Sequence, residues 1–309
     1  MIKHLKYNEI DKVQWDACIN RSFNGNIYAL SWYLDIVCYG WEALIEDDYE
    51  TVFPLTNGKK GGIDYLFQPN FSQQLGIFSV KRMDAETVVR FINNIPGHYR
   101  LIEINLNRHN KLPDNFDSYK NNINTELPLI QDYTGLWSAY SENTRRNIKK
   151  ARNQGLQLTR HSGPEALIRL FRENRGREIK QWSDRQYKML SNLLHTCIHK
   201  QTGEVYSVHN AHNELCASAF FARSHGRIIF LFSGLSKDGK ESGAMPFLID
   251  AVINQHAASN LILDFEGSND EGLARFYASF GAEQVQYPAI RINNLPFLIQ
   301  WVHRIKRFL

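Results

Sequence analysis

Residues 227–281 read RIIFLFSGLSKDGKESGAMPFLIDAVINQHAASNLILDFEGSNDEGLARFYASFG, and the fold turns on how this stretch is parsed. Ile228–Phe232 is an apolar run of β-branched and aromatic residues bounded by Gly234, the signature of a buried strand. Ser236–Gly243 is polar and reads as a turn. Apolar residues at 244, 245, 248, 249, 252 and 253 then follow a helical period through His256. Pro246 suits the first turn of that helix, where a missing N–H costs little. Leu261–Phe265 reads as a second strand, and Asp270–Phe280 as a second helix stopped by Gly281. A turn feeding a helix N-terminus offers free amides and the positive end of a dipole, a place for phosphate. Asp264 and Glu266 at the end of the second strand, with Tyr277 on the second helix, are placed to face a substrate. Any α/β crossover gives the same order, so the pattern alone leaves a plain scaffold open.

The remainder of the chain sets bounds. Its 309 residues suffice for two domains, and 43% hydrophobic content supplies material for their cores. A net charge of +4 suits an anionic substrate but is too small to mark a dedicated nucleic-acid binder. Cys18, Cys38, Cys197 and Cys216 are scattered, which argues for buried thiols and against a zinc site or a disulfide framework. The eleven histidines have no metal-binding spacing, so no metal is expected. The N-terminus lacks an apolar leader and no run approaches a membrane span, so the expectation is a soluble, cytoplasmic protein.

From the N-terminus, Tyr7–Cys18 reads as a helix, Ser31 as the cap of a second helix through Val37, and residues 41–78 as short strands separated by turns. Asp84–Asn94 is helical, Tyr99–Asn107 a strand, and Lys111–Asn124 a polar loop with a helical turn. The second half repeats the order: two helices (163–175 and 184–199), a three-strand meander over 205–232, a helix and a strand. Between the halves, Ser141 or Asn143 caps a helix bearing Arg145, Arg146, Lys149, Lys150 and Arg152, either a solvated face or a patch that meets phosphates.

Asp270-Glu-Gly-Leu-Ala-Arg-Phe-Tyr277-Ala-Ser-Phe-Gly281 resembles the helix of the GNAT acyltransferase superfamily, in which an Asn opens the segment, a Tyr follows seven residues later and a Gly closes it. Here Asp270 stands at the Asn position. Lys240-Glu-Ser-Gly243-Ala-Met245 resembles a degenerate form of that superfamily's pyrophosphate loop. The segment Asn143-Thr-Arg145-Arg-Asn-Ile148-Lys-Lys150-Ala151, closed by Gly155, resembles the entry to the second domain of the Fem-type transferases, tandem GNAT-fold enzymes that draw on aminoacyl-tRNA. Their broader group includes acetyltransferase-like proteins. The resemblance implies an α+β fold of two tandem GNAT-like domains, each a mixed, mainly antiparallel sheet flanked by helices. The expected division is an acceptor-side domain over 1–133 and a donor-binding, catalytic domain over 134–309, with 296–309 packing back on the first.

The chemistry implied is direct acyl transfer from acyl-CoA to the amine of a small molecule or peptide. Tyr277 is the candidate general acid, or else a packing residue of an apolar helix; Glu266 is the candidate base, or a turn-capping carboxylate. Ser236, Lys240, Gly243 and Ala244 would hold the donor's pyrophosphate. Trp32, Tyr33, Gln68, Gln73 and Gln74 would line an acceptor cleft. Fem-type enzymes carry a lysine where this chain has Tyr277, which favours a thioester donor over tRNA. The alternatives are aminoacyl-tRNA transfer, with Arg145, Arg146 and Lys149 on phosphates, and a catalytically inactive binding protein.

Overall fold

The computed structural model describes residues 1–179, 182–267 and 269–295, and the chain divides into two compact units. The first runs from Met1 to Asn122 and regains the chain at Gln286; the second is Ile123–Val285. In order, the first unit contains β1 (Lys3–Leu5), α1 (Lys12–Arg21), α2 (Ser31–Val37), β2 (Glu42–Glu46), β3 (Thr51–Leu55), β4 (Asn57–Lys60), β5 (Ile63–Phe67), β6 (Phe78–Ser79), α3 (Ala85–Asn93) and β7 (Tyr99–Asn105). β1, β2, β3 and β6 are neighbours in that order, and β4, β5 and β7 form a second series. Helix α1 begins later than its sequence suggests because Asp11 accepts from the amides of Val13 and Gln14 and so caps it. Ser31 opens α2 without capping it; its hydroxyl donates to Asp16 at 2.8 Å. The core is aromatic: Trp15 lies 4.6 Å from Trp41, ring to ring, and its indole N–H donates to the Ala29 carbonyl at 2.7 Å.

β8 (Tyr119–Pro128) carries the chain into the second unit. There follow α4 (Tyr133–Ser138), α5 (Glu142–Asn153), β9 (Gln157–Arg160), α6 (Pro164–Glu173), α7 (Asp184–His199), β10 (Gly203–His209), β11 (Leu215–Ser224), β12 (Arg227–Leu235), α8 (Lys237–Ser242), α9 (Ala244–His256), β13 (Ile262–Asp264) and α10 (Glu271–Ala278). The sheet order is β8-β13-β12-β11-β10-β9, antiparallel except for the β12–β13 pair. Ser141 caps α5 by accepting from the Thr144 amide. Leu248, Ile249, Val252 and Ile253 of α9 are fully buried in a cluster with Phe221, Phe230, Leu263 and Phe265, each worth about 1.5–3 kcal/mol. β14 (Glu283–Asn293) then leaves this unit and pairs antiparallel with β7 in the first.

Two expectations change. The 111–124 segment ends in strand β8 instead of a loop, and Ser236–Gly243 is mostly helix α8. The two compact units meet at 122/123, β8 pairing with β13 and the last strand with β7. Residues 296–309, expected to pack on the first domain, lie outside the described residues. Among the described residues no helix is long and apolar enough to cross a membrane.

Candidate active site

β12 and β13 pair over only three residues, Arg227–Ile229 against Ile262–Asp264. β12 continues to Leu235 while β13 ends, so among the described residues the remaining β12 edge has no strand partner on that side. Next to this splay the β11–β12 ladder shifts register: Phe221 pairs with Phe230 and Phe220 with Phe232, leaving Leu231 as an extra residue. Phe230 and Phe232 consequently part company. Phe230 meets Tyr277 at 6.2 Å, and Phe232 meets Phe171 of α6 at 4.6 Å.

Tyr277 comes to the splay from α10. Its ring stacks on Phe265, the residue following β13, at 4.8 Å and 17°, and the residue is 7% exposed. Among the described residues no group is hydrogen-bonded to its hydroxyl. The packing reading therefore describes the ring, and the phenol's O–H is left over. Burial, aided by the carboxylates of Glu266 and Asp270, pushes that phenol above its usual range.

Glu266 sits in a left-handed conformation (φ 54°), followed by Gly267 (φ 43°). Its backbone N–H donates to Asp264 Oδ1 at 2.9 Å. Asp264 belongs to a buried tetrad that sequence reasoning missed. Arg227 Nη1 lies 2.9 Å from both Glu126 Oε1 and Asp264 Oδ2, and Asn124 Nδ2 donates to Asp264 Oδ1 at 3.0 Å and to Glu126 Oε1 at 3.2 Å. Burial pushes the Asp264 carboxyl up, while Arg227 pulls it down. The signal available was the alternation Asn122, Asn124, Glu126 along one side of a polar segment.

The donor-loop residues adopt a closed form. The Ser236 hydroxyl accepts from the Gly239 amide and so caps α8. A Cβ at Gly239 would lie 2.0 Å from the Cys216 carbonyl oxygen, and one at Gly243 2.7 Å from that of Asn147 on α5. Gly243 and Ala244 are buried; Lys240 is exposed. The basic stripe of α5 divides. Arg152 is engaged by Asp250 at 2.8 Å and lies over Trp137, while Lys150 donates to the Glu241 carbonyl at 2.7 Å. Arg146 reaches Asn143, and among the described residues Arg145 and Lys149 pair with no acid.

In the first unit the glutamines hold a loop. Gln68 donates to the Ser72 carbonyl and accepts from the Asn105 amide; Gln74 accepts from the Arg108 amide and donates to Gln73 Oε1. Tyr33 is fully buried with its hydroxyl on the Phe71 carbonyl, and Trp32 packs beside it at 5.5 Å. A separate polar cavity of about 460 Å³ is lined by Lys6, Glu42, Lys59, Asp64, His98 and Tyr99, but Glu42 already accepts from Lys6, His4 and Tyr99.

Residues 138–272 match the family model of the acetyltransferase (GNAT) domain. The matched residues lie within the second unit. Over nearly the whole chain the likeness is one of fold. FemX superposes with a TM-score of 0.65 at 13% identity, covering 98% of this chain and 99% of its own. A conserved protein of unknown function from Bacteroides thetaiotaomicron gives 0.60 at 11% identity, covering 91% and 96%. L-PGS from Bacillus licheniformis gives 0.54 at 11%, covering 94% and 95%. No curated protein sequence matches. The architecture is thus α+β with two tandem GNAT-like domains. Among the described residues no group of His, Cys, Asp and Glu is arranged to hold a metal.

Proposed function

We propose that this protein is an N-acyltransferase that moves an acyl group from a thioester, acyl-CoA, to the amine of a small molecule or peptide. The observation that carries the reading is the splay of β12 from β13 with the Tyr277 hydroxyl, unpartnered among the described residues, beside it. The free β12 edge supplies backbone donors to a polarised carbonyl oxygen. Glu266 takes the proton of the attacking amine, directly or through water. The amine nitrogen bonds to the carbonyl carbon, the C–S bond breaks, and the leaving thiolate takes the Tyr277 proton. A phenol pushed upward by burial stays protonated at neutral pH, so its O–H is present to hydrogen-bond the sulfur as negative charge develops there. Because the glycines of the α8–α9 corner face protein backbone, the donor's phosphates fall to Lys240 and Arg146 side chains more than to an amide cradle in the Ser236–Ala244 corner. Trp32 on α2 and Gln73 are the first-unit residues proposed for the acceptor; Tyr33, Gln68 and Gln74 hold the loop on which Gln73 stands.

The same closed corner favours a second reading, Fem-type transfer from aminoacyl-tRNA, with Arg145, Arg146 and Lys149 on its phosphates. The two separate cleanly. Thiol release from acetyl-CoA in the presence of a panel of primary amines, suppressed by Tyr277→Phe, supports the thioester donor. Binding of aminoacyl-tRNA that weakens steeply as salt is raised, without thiol release, supports the other. An inactive binding protein would show heat of acetyl-CoA binding, lost in Lys240→Glu, and no turnover.

A further inference from the structure

We propose that the buried tetrad Arg227–Glu126–Asp264–Asn124 is a positioning device for the Glu266 carboxylate, an inference that rests on the transferase reading above. Glu266 and Gly267 occupy successive left-handed conformations, φ 54° and 43°, which an L side chain such as glutamate seldom adopts without support. The support is the Glu266 N–H to Asp264 Oδ1 bond at 2.9 Å. Asp264 is itself clamped from two other strands. Arg227 on β12 reaches its Oδ2 at 2.9 Å and Asn124 on β8 reaches its Oδ1 at 3.0 Å, while Glu126 on β8 holds both Arg227 and Asn124.

Arg227 and Asn124 each donate to both carboxylates, and the Glu266 N–H donates to Asp264, so the two carboxylates share one guanidinium and one amide. Buried ion groups contribute little net stability compared with well-packed apolar residues of the same volume. What such a group supplies is direction, here for the turn that leaves β13. The same turn is tied down further on, where Asn269 Oδ1 accepts from the Ile123 amide and Asp270 caps α10, the helix that carries Tyr277. The tetrad thus fixes the start of a segment bearing both reacting side chains. Its members touch no substrate in this scheme; they act through Glu266.

The test uses the full chain and a double-mutant cycle on thiol release from acetyl-CoA with primary amines. Asp264→Asn is expected to lower kcat by about tenfold or more with the donor KM within about twofold. In a Glu266→Gln background the same change should have no further effect on kcat, because the residue it positions is already disabled. The conservative Arg227→Lys should fall between wild type and Asp264→Asn. An Asp264→Asn penalty of equal size in both backgrounds would overturn the proposal and leave a merely structural network. Should wild type release no thiol with any amine, the transferase reading fails, and the positioning claim is then decided by amide hydrogen exchange. Asp264→Ala should strip protection from the Glu266 amide while the β11 and β12 amides keep theirs; unchanged protection at Glu266 sinks it.

Discussion

Tyr277 divides into two parts with separable consequences. Its ring stacks on Phe265 and its hydroxyl has no partner among the described residues. Tyr277→Phe removes only the second part. Stability should therefore change by less than about 0.5 kcal/mol in a denaturant titration, as for substitutions that break no contact. Turnover should fall about 100-fold with the donor KM unchanged. A loss of stability without a loss of turnover would return the residue to packing. The cysteines give a second residue-scale expectation. All four are free and buried, and burial pushes Cys38 up to about 11 and Cys197 up to about 12. Thiolate is the reactive form, so at pH 8, well below those values, both stay protonated. Ellman's reagent should react slowly with the native protein and promptly after denaturation; prompt native reaction would contradict the burial. The place of Tyr277 on a helix was legible from spacing. The state of Arg152 was not: a stripe at 145, 149 and 152 reads as one basic face, but its last member is bound to Asp250, 98 residues on in a different helix.

Among the elements, those with an apolar period were legible and those with a polar buried face were not. Helix α9 shows its core face in sequence because Leu248, Ile249, Val252 and Ile253 repeat on it. Strand β8 reads YKNNINTELP, and its inward side at Asn124 and Glu126 is polar because it faces Arg227 and Asp264. A pattern rule that searches for apolar alternation passes over such a strand. The helix α8 was hidden similarly, since KDGKES has no core face of its own beyond Gly239. The turn after β13 allows a controlled comparison between two positive-φ glycines. A Cβ at Gly267 would fall 2.3 Å from Asn124 Cα and from the Ile123 carbonyl oxygen, both backbone atoms that cannot swing aside. At Gly155 (φ 69°) nothing lies within 4 Å. Gly155→Ala should cost about 1 kcal/mol, the conformational part alone. Gly267→Ala should cost about 3 kcal/mol as the clash adds to it, measured as the shift in denaturation free energy. Equal costs would mean that β8 does not lie against the turn as described.

At the scale of the molecule, the exchange of strands decides what can fold alone. Each half reads as its own α+β repeat, which places the sequence boundary at the helix after residue 133. Pairing is non-local, and no local pattern reports that β8 belongs with β13, or that the last strand belongs with β7. A fragment spanning 134–309 contains the whole family-matched region, 138–272, and yet lacks β8. It uncovers the edge of β13 and removes Glu126 and Asn124, leaving Arg227 and Asp264 a pair without its remaining partners. Stripping partners from a buried charge costs about 3–5 kcal/mol, a large part of the 5–15 kcal/mol, roughly, that holds a domain together. The fragment 123–285 keeps all four tetrad residues and the β8–β13 ladder. It should melt cooperatively by circular dichroism with dispersed amide resonances, and 134–309 should give a broad, non-cooperative transition. If the shorter-sheeted fragment folded as well as the other, β8 would be a passive cover and the tetrad dispensable to the unit it joins. If neither folded, β14 would be needed as well, and a linked fragment that restores its pairing to β7 would have to be the minimal folded piece.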